Sequence, residues 1–176
     1  MLFRPARVAD VGAVVALVES AYRGDSSRVG WTTEVDLLDG QRTDADEVAA
    51  LIAAPDSRII VTEDAAGLLG SVLLIDRGDA AYIGMFAVRP AAQAGGVGRA
   101  LLAEAERTAR ETLGRAQASM TVLSQRPELI AWYERRGYRR TGQREPFPYG
   151  NPRFGLPRRN DLQFDVLVKS LRAGDS

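Results

Sequence analysis

Residues 82–113 constrain this chain more than any other stretch. They begin Tyr82-Ile83-Gly84-Met85-Phe86-Ala87-Val88-Arg89-Pro90, continue Ala91-Ala92-Gln93-Ala94-Gly95-Gly96-Val97-Gly98-Arg99, and run on into Ala100-Leu101-Leu102. The first run is apolar and rich in β-formers, and it stops at Pro90, which has no N–H to give a sheet ladder. A short turn with three glycines follows. Beyond it Val97, Ala100, Leu101, Ala105, Thr108 and Ala109 share one stripe at helical spacing, and Leu113-Gly114 supplies a C-terminal stop. The order is therefore strand, glycine loop, helix N-terminus. That order brings free backbone N–H groups and the positive end of a helix dipole to one place, which makes an anion site. Glycine adds no Cβ, so phosphate oxygens can approach the backbone.

Two common phosphate loops do not fit. A nucleotide P-loop ends Gly-Lys-Ser/Thr, whereas Gly98 is followed by Arg99-Ala100. A dinucleotide fingerprint is Gly-x-Gly-x-x-Gly, whereas the glycines here are Gly95, Gly96 and Gly98. The stretch instead resembles the coenzyme A pyrophosphate loop of the GNAT N-acetyltransferase superfamily, Gln/Arg-x-x-Gly-x-Gly/Ala, with Gln93, Gly96 and Gly98 in its fixed positions. Phe86-x-Val88-x-Pro90 resembles the strand that precedes that loop. A second segment, Arg126-Pro127-Glu128-Leu129-Ile130-Ala131-Trp132-Tyr133-Glu134-Arg135-Arg136-Gly137-Tyr138, is similar to the family's Asn-x-x-Ala-x-x-Leu-Tyr-Glu-Lys-x-Gly-Phe. Strand order and motif order match along about residues 1–170. Two positions depart from the pattern: Gly84 stands where many members carry Glu, and Arg126 where Asn is usual.

The resemblance implies acetyl-CoA as co-substrate and the amine of a small molecule or peptide as acceptor. The pantetheine arm is expected to pair with backbone at Phe86, Ala87 and Val88. The pyrophosphate is expected on Gln93, Ala94, Gly95, Gly96, Val97, Gly98 and Arg99, with Arg126 at the mouth of the last helix. Family position makes Tyr133 the proton donor to the coenzyme's sulfur. The loop between the first two helices lines the acceptor cleft in the family, which makes Glu34 the acceptor-side catalytic candidate, holding or deprotonating an ammonium group. The implied chemistry is direct transfer in a ternary complex. A neutral amine attacks the thioester carbon, backbone N–H near Val88 polarises the carbonyl, and proximity supplies much of the rate. One rival reading is a binding module of this fold that senses acetyl-CoA without transferring its acetyl group. The other is an unrelated nucleotide-binding or hydrolysing protein, against which the missing phosphate-binding lysine speaks.

Composition narrows the chemistry further. With no cysteine and no histidine, disulfides, thiol nucleophiles, imidazole bases and the usual zinc ligands are excluded together. Acid–base work falls to carboxylates, tyrosine, backbone or water. The 176 residues, 45% hydrophobic and 26% charged, suit one soluble domain over 1–176 that buries roughly 70% of its unfolded surface. A formal net charge of zero argues against a nucleic-acid binder. No signal-like or membrane-length apolar run is present, so a cytoplasmic protein without membrane contact is expected. The charges are unevenly spread. Residues 25–56 hold eight acids against two arginines, and residues 134–160 hold eight arginines against two acids. They read either as two solvated faces or as an acidic acceptor side and a basic side.

Taken in order, the chain predicts a mixed α/β (α+β) fold, with a mostly antiparallel central sheet flanked by about four helices. Residues 3–7 read as an edge strand carrying Pro5. Asp10 caps a helix with Val11, Val14, Val15, Val18 and Tyr22 on one face. Residues 24–30 are turn-like, and Trp31-Thr32-Thr33-Glu34-Val35-Asp36 runs on towards Gly40. Thr43, with Asp46 three positions on, reads as the cap of a second helix. Residues 58–62, 68–75 and 82–88 form a three-strand meander, and 118–123 a strand parallel to the one ending at Val88. Pro127 opens the last helix, and strands at 138–141 and 162–169 close the chain. Between them residues 142–160 are too long for a hairpin turn. Pro146, Pro148, Pro152 and Pro157 stiffen this connection, and Phe147, Tyr149 and Phe154 give it apolar surface. The expectation is an ordered lid with those aromatics on the acceptor pocket and Arg153 or Arg158 free for an acidic group. The competing outcome is a homodimer interface made by the same aromatics.

Overall fold

The computed structural model describes residues 1–23 and 33–174. The turn expected at 24–30 and Trp31 lie outside them. Along the chain come β1 (Phe3–Pro5), α1 (Val11–Tyr22), β2 (Leu38–Asp39), α2 (Ala45–Ala53), β3 (Ser57–Asp64), β4 (Gly67–Asp76) and β5 (Ala81–Val88). There follow α3 (Val97–Glu111), β6 (Gln117–Leu123), α4 (Pro127–Glu134), β7 (Arg139–Pro146), β8 (Leu156–Pro157) and β9 (Gln163–Ser170). Seven strands form one sheet in the order β1-β3-β4-β5-β6-β9-β7. Every pairing in it is antiparallel except β5 with β6. The mixed, mostly antiparallel sheet and its four α-helices are as the sequence predicts.

Side-chain alternation explains the layers. On β3 and β4 the residues Ile60, Val72 and Leu74 point to one side with Leu101, Ala105 and Ile130 of α3 and α4. Their neighbours Ile59, Val61 and Leu73 point to the other, with Val14 and Val18 of α1 and Val48 of α2. Strands covered on both faces lose the polar alternation of a half-exposed strand, which is why these segments read as nearly continuous apolar runs. β5 breaks the alternation once. Ile83 and Phe86 face the α3 side although they are three residues apart, while Met85 and Ala87 face α1. Pairing with β4 slips there, from Leu73↔Gly84 to Ser71↔Ala87. One extra β5 residue makes a bulge, and Met85 sits in it at φ 43°. A non-glycine residue there is strained by about 1–3 kcal/mol, and such strain often marks a working site.

Three expected details differ. Asp10 does hold the N-cap position of α1, but its side chain makes no capping bond into the helix: its carboxylate accepts from Arg7 N at 2.7 Å and pairs with Arg4 at 2.8 Å, closing the turn before the helix. The cap of α2 is Asp44, one residue later than expected, and its Oδ1 accepts from Glu47 N at 2.8 Å. The strand expected at 138–141, β7, continues to Pro146, so the connection after it is shorter than the glycine at 142 suggests.

That connection is ordered and strapped down. β8 pairs antiparallel with β2, and Phe147 is buried with Leu37, Leu38, Leu123 and Leu162. Arg153 lies 3.2 Å from Asp44 and 3.5 Å from Glu47, and Arg158 lies 3.7 Å from Asp39. Arg153 and Arg158 thus clamp part of the basic segment to the acidic one, while Arg140, Arg144 and Arg159 pair with Glu134, Asp165 and Asp161.

Candidate active site

The parallel pair β5–β6 is joined at Ala81↔Ala118 and Tyr82↔Ser119 only. Beyond it β5 stays with β4 through the bulge, and β6 pairs with β9 along its length. The two strands part and open a cavity of about 590 Å³, a size typical of small-molecule sites. Tyr22, Glu34, Arg42, Gly84, Arg126 and Tyr133 line it, and Phe147 and Phe154 of the lid close the far wall.

The glycine loop lies at the end of β5. Residues Pro90–Gly95 form a 3-10 turn and Gly96, at φ +81°, is the N-cap of α3. A side chain is strained at that φ, so glycine is required at 96. The first N–H groups of α3 have no acceptor within the helix. A Cβ placed on Gly95 or Gly96 meets no atom within 4 Å, so the backbone there is open. On Gly98 it lies 3.7 Å from Phe86 and Trp132, an ordinary contact. Space alone does not require glycine at 98. Gln93 is buried and its Nε2 donates to the Val88 carbonyl at 3.0 Å, fastening the loop to the strand. Ala94 and Arg99 are exposed beside it. Arg136 stacks on Trp132 at 3.6 Å, its Nε is buried without a partner, and its pKa is lowered by burial and then by Arg99 and Arg135. Open glycine backbone beside guanidiniums that repel one another fits a pyrophosphate-bearing ligand.

Tyr133 is 5% exposed. Its ring meets Trp132, Tyr138 and Phe86 at 5.0, 5.9 and 6.3 Å between centroids. Among the described residues its hydroxyl has no hydrogen-bond partner. Burial, and then Tyr22 and Tyr82, push its pKa well above 10, so the phenol holds its proton. Tyr22 donates to the Phe86 carbonyl at the bulge, and burial pushes its pKa up to about 12. Of the backbone expected to take pantetheine, the Phe86 and Val88 carbonyls are thus already engaged, while Ala87 and Val88 pair with Ser71 and Gly70.

Gly84 has a physical reason. A Cβ there would lie 2.7 Å from the Tyr82 ring. That ring is held by Arg77 at 4.0 Å and by Thr121 Oγ1, 3.3 Å from the Tyr82 hydroxyl. The ring occupies the space a larger residue at 84 needs. Glu34 does reach the cavity, but paired with the buried Arg23. Arg126 is buried at the start of α4, donating to Glu128 at 2.8 Å and to the Thr33 carbonyl. It spans from α4 to the segment carrying Glu34.

Two of the three aromatics expected on the pocket line the cavity. Phe147 and Phe154 wall the cavity, whereas Tyr149 turns away to bond Arg159 O and Leu162 N. Arg153 and Arg158 are both engaged in exposed pairs of that clamp. Sequence reading missed Tyr22, Arg23, Arg42 and Tyr82. Helical spacing made Tyr22 look like plain core, and no spacing rule joins Arg42 to a cavity assembled from elements spread over most of the chain.

A splayed parallel pair, a glycine loop capping a helix and a buried tyrosine on the cavity wall make up the site. The family model for the acetyltransferase (GNAT) domain matches residues 33–147, and the chain belongs to that family. Its fold is similar to ribosomal-protein-alanine N-acetyltransferase of Brucella melitensis at 19% identity and TM-score 0.71, covering 97% of this chain and 99% of that one. It is also similar to a variant of spermidine N-acetyltransferase from Vibrio cholerae (18% identity, TM-score 0.66, 97% and 95% covered). For smu.2055 of Streptococcus mutans the identity is 15% and the TM-score 0.70, with 98% and 100% covered. No curated protein matches the sequence.

Proposed function

We propose that the protein is an acetyl-CoA-dependent N-acetyltransferase that moves the acetyl group directly to an amine in a ternary complex. The observation that carries this is the unbonded Tyr133 hydroxyl on the wall of a cavity that opens where β5 and β6 part, beside the loop at 93–99. Acetyl-CoA supplies the activated acyl group as a thioester. Gly95 to Arg99 bind the phosphates through open backbone, with Arg99, Arg135 and Arg136 adding positive charge. Tyr133 holds a proton for the departing sulfur, and its raised pKa keeps that proton in place at neutral pH. Tyr22 braces the strained bulge by holding the Phe86 carbonyl. Glu34, fixed by Arg23, orients the incoming ammonium and takes up its proton through water. The lid and apolar walls exclude bulk water, which strengthens each of these polar contacts.

The test is release of free coenzyme A, with acetylated product identified by mass, against a panel of amines, amino acids, aminoglycosides and peptides. Release that requires an amine, and product carrying one acetyl group, is expected. Acetyl-CoA bound but intact across the whole panel favours a sensor module instead.

A further inference from the structure

We infer that Arg42 recognises an anionic group on the acceptor, so that the acceptor is an amine bearing a carboxylate or equivalent oxyanion within a few bonds of its nitrogen. This rests on the N-acetyltransferase reading above. Arg42 is held at its backbone: its own N–H and that of Thr43 both donate to Glu19 Oε1, at 2.6 and 2.8 Å. Its half-buried side chain lines the cavity, and its guanidinium sits 5.5 Å from the Tyr22 ring centroid.

The other charged groups on the cavity wall are accounted for. Arg23 and Glu34 hold each other, Arg126 is taken by Glu128 and Thr33, and Glu47 lies 3.5 Å from Arg153. Glu145 stands exposed on β7 at the lid side. Among the described residues Arg42 has no carboxylate within ion-pair distance, although Glu34 and Glu47 act on it electrostatically from further off. Burial disfavours the Arg42 charge, but Glu34, Tyr22, Tyr82 and Glu47 together hold its pKa above the ordinary value, so a charged guanidinium faces the cavity with no acid among the described residues bonded to it. Its planar fork is matched by a bidentate oxyanion. The site sits one tyrosine ring from the Phe86 carbonyl, because Tyr22 touches both. With acetyl-CoA seated along Phe86 to Val88, the amine attacks beside that carbonyl, and the anion then lies near the amine and not at the end of a long chain. A polyamine, which carries no anion, is then a poor acceptor.

The experiment compares proteinogenic L-amino acids with the matching amines that lack the carboxylate, such as L-phenylalanine with 2-phenylethylamine. The expected result is kcat/KM at least about tenfold higher for the carboxylate member of the accepted pairs. Arg42→Gln should erase that preference through KM, and Arg42→Lys should restore part of it, with acetyl-CoA affinity unchanged in both as the check on folding. Equal kcat/KM within pairs, or a preference that survives Arg42→Gln, overturns the inference. If no amine is acetylated, the transferase reading fails while the inference is still read by calorimetry of L-amino acids into the coenzyme A-loaded protein. Binding lost on Arg42→Gln supports it. Absent binding, or binding equal in both proteins, overturns it.

Discussion

Two tyrosines carry opposite tasks at the residue scale. Tyr133 is proposed to give a proton, and Tyr82 fills a space. Tyr133→Phe keeps the ring contacts and removes only the hydroxyl. Turnover is expected to fall by about 10²-fold or more while acetyl-CoA affinity holds, and unaltered turnover would make Tyr133 a packing residue. Gly84→Ala places a methyl group against the Tyr82 ring and should cost about 1–3 kcal/mol as overpacking does. The same change in a Tyr82→Ala background should cost far less. A double-mutant cycle by denaturant unfolding reads the difference, and additive costs would show that the two positions do not compete. The buried tyrosines also set a pH dependence. Tyr22, Tyr133 and Tyr138 all have raised pKa values in the fold. The unfolded chain therefore ionises first as pH passes 10, and stability present below that value is lost as pH rises towards 12. Melting temperature should fall steeply over that window and less so in Tyr22→Phe.

Among the elements, the lid separates large effects from small ones. Exposed ion pairs such as Arg153 with Asp44 and Glu47 contribute about 0–1 kcal/mol, whereas truncating a buried phenylalanine costs about 3–5 kcal/mol. Phe147, not the clamp of charges, should anchor the segment. Phe147→Ala is expected to lower the melting temperature and raise acceptor KM, and Arg153→Ala to change both little. The reverse order would mean that the charges hold the lid.

Element-level reading from sequence succeeded where a local pattern decides. The strand, glycine loop and helix at 82–111 are visible because Pro90, three glycines and a helical stripe all act within one segment. Thr43 and its neighbour Asp44 are both residue types that suit a cap, so local pattern does not choose between them. The bulge at Met85 was not legible, since one extra residue in an apolar strand leaves composition unchanged.

At the scale of the molecule, the site exists because β6 leaves β5 for β9. Sequence order predicts the parallel pair, but where it parts depends on long-range pairing that no window contains. The same holds for Arg42, Tyr22 and Phe147, which come from three distant segments and meet only in the fold. The central claim, that the parted strands and the loop at 93–99 bind acetyl-CoA, is tested most directly by calorimetry of acetyl-CoA into the parent protein and Gly96→Glu. This change adds a side chain at φ +81° and a negative charge on the phosphate path. The account predicts clear binding by the parent and at least tenfold weaker binding, about 1.4 kcal/mol, by a variant that remains folded. Equal affinity in the two proteins would contradict it.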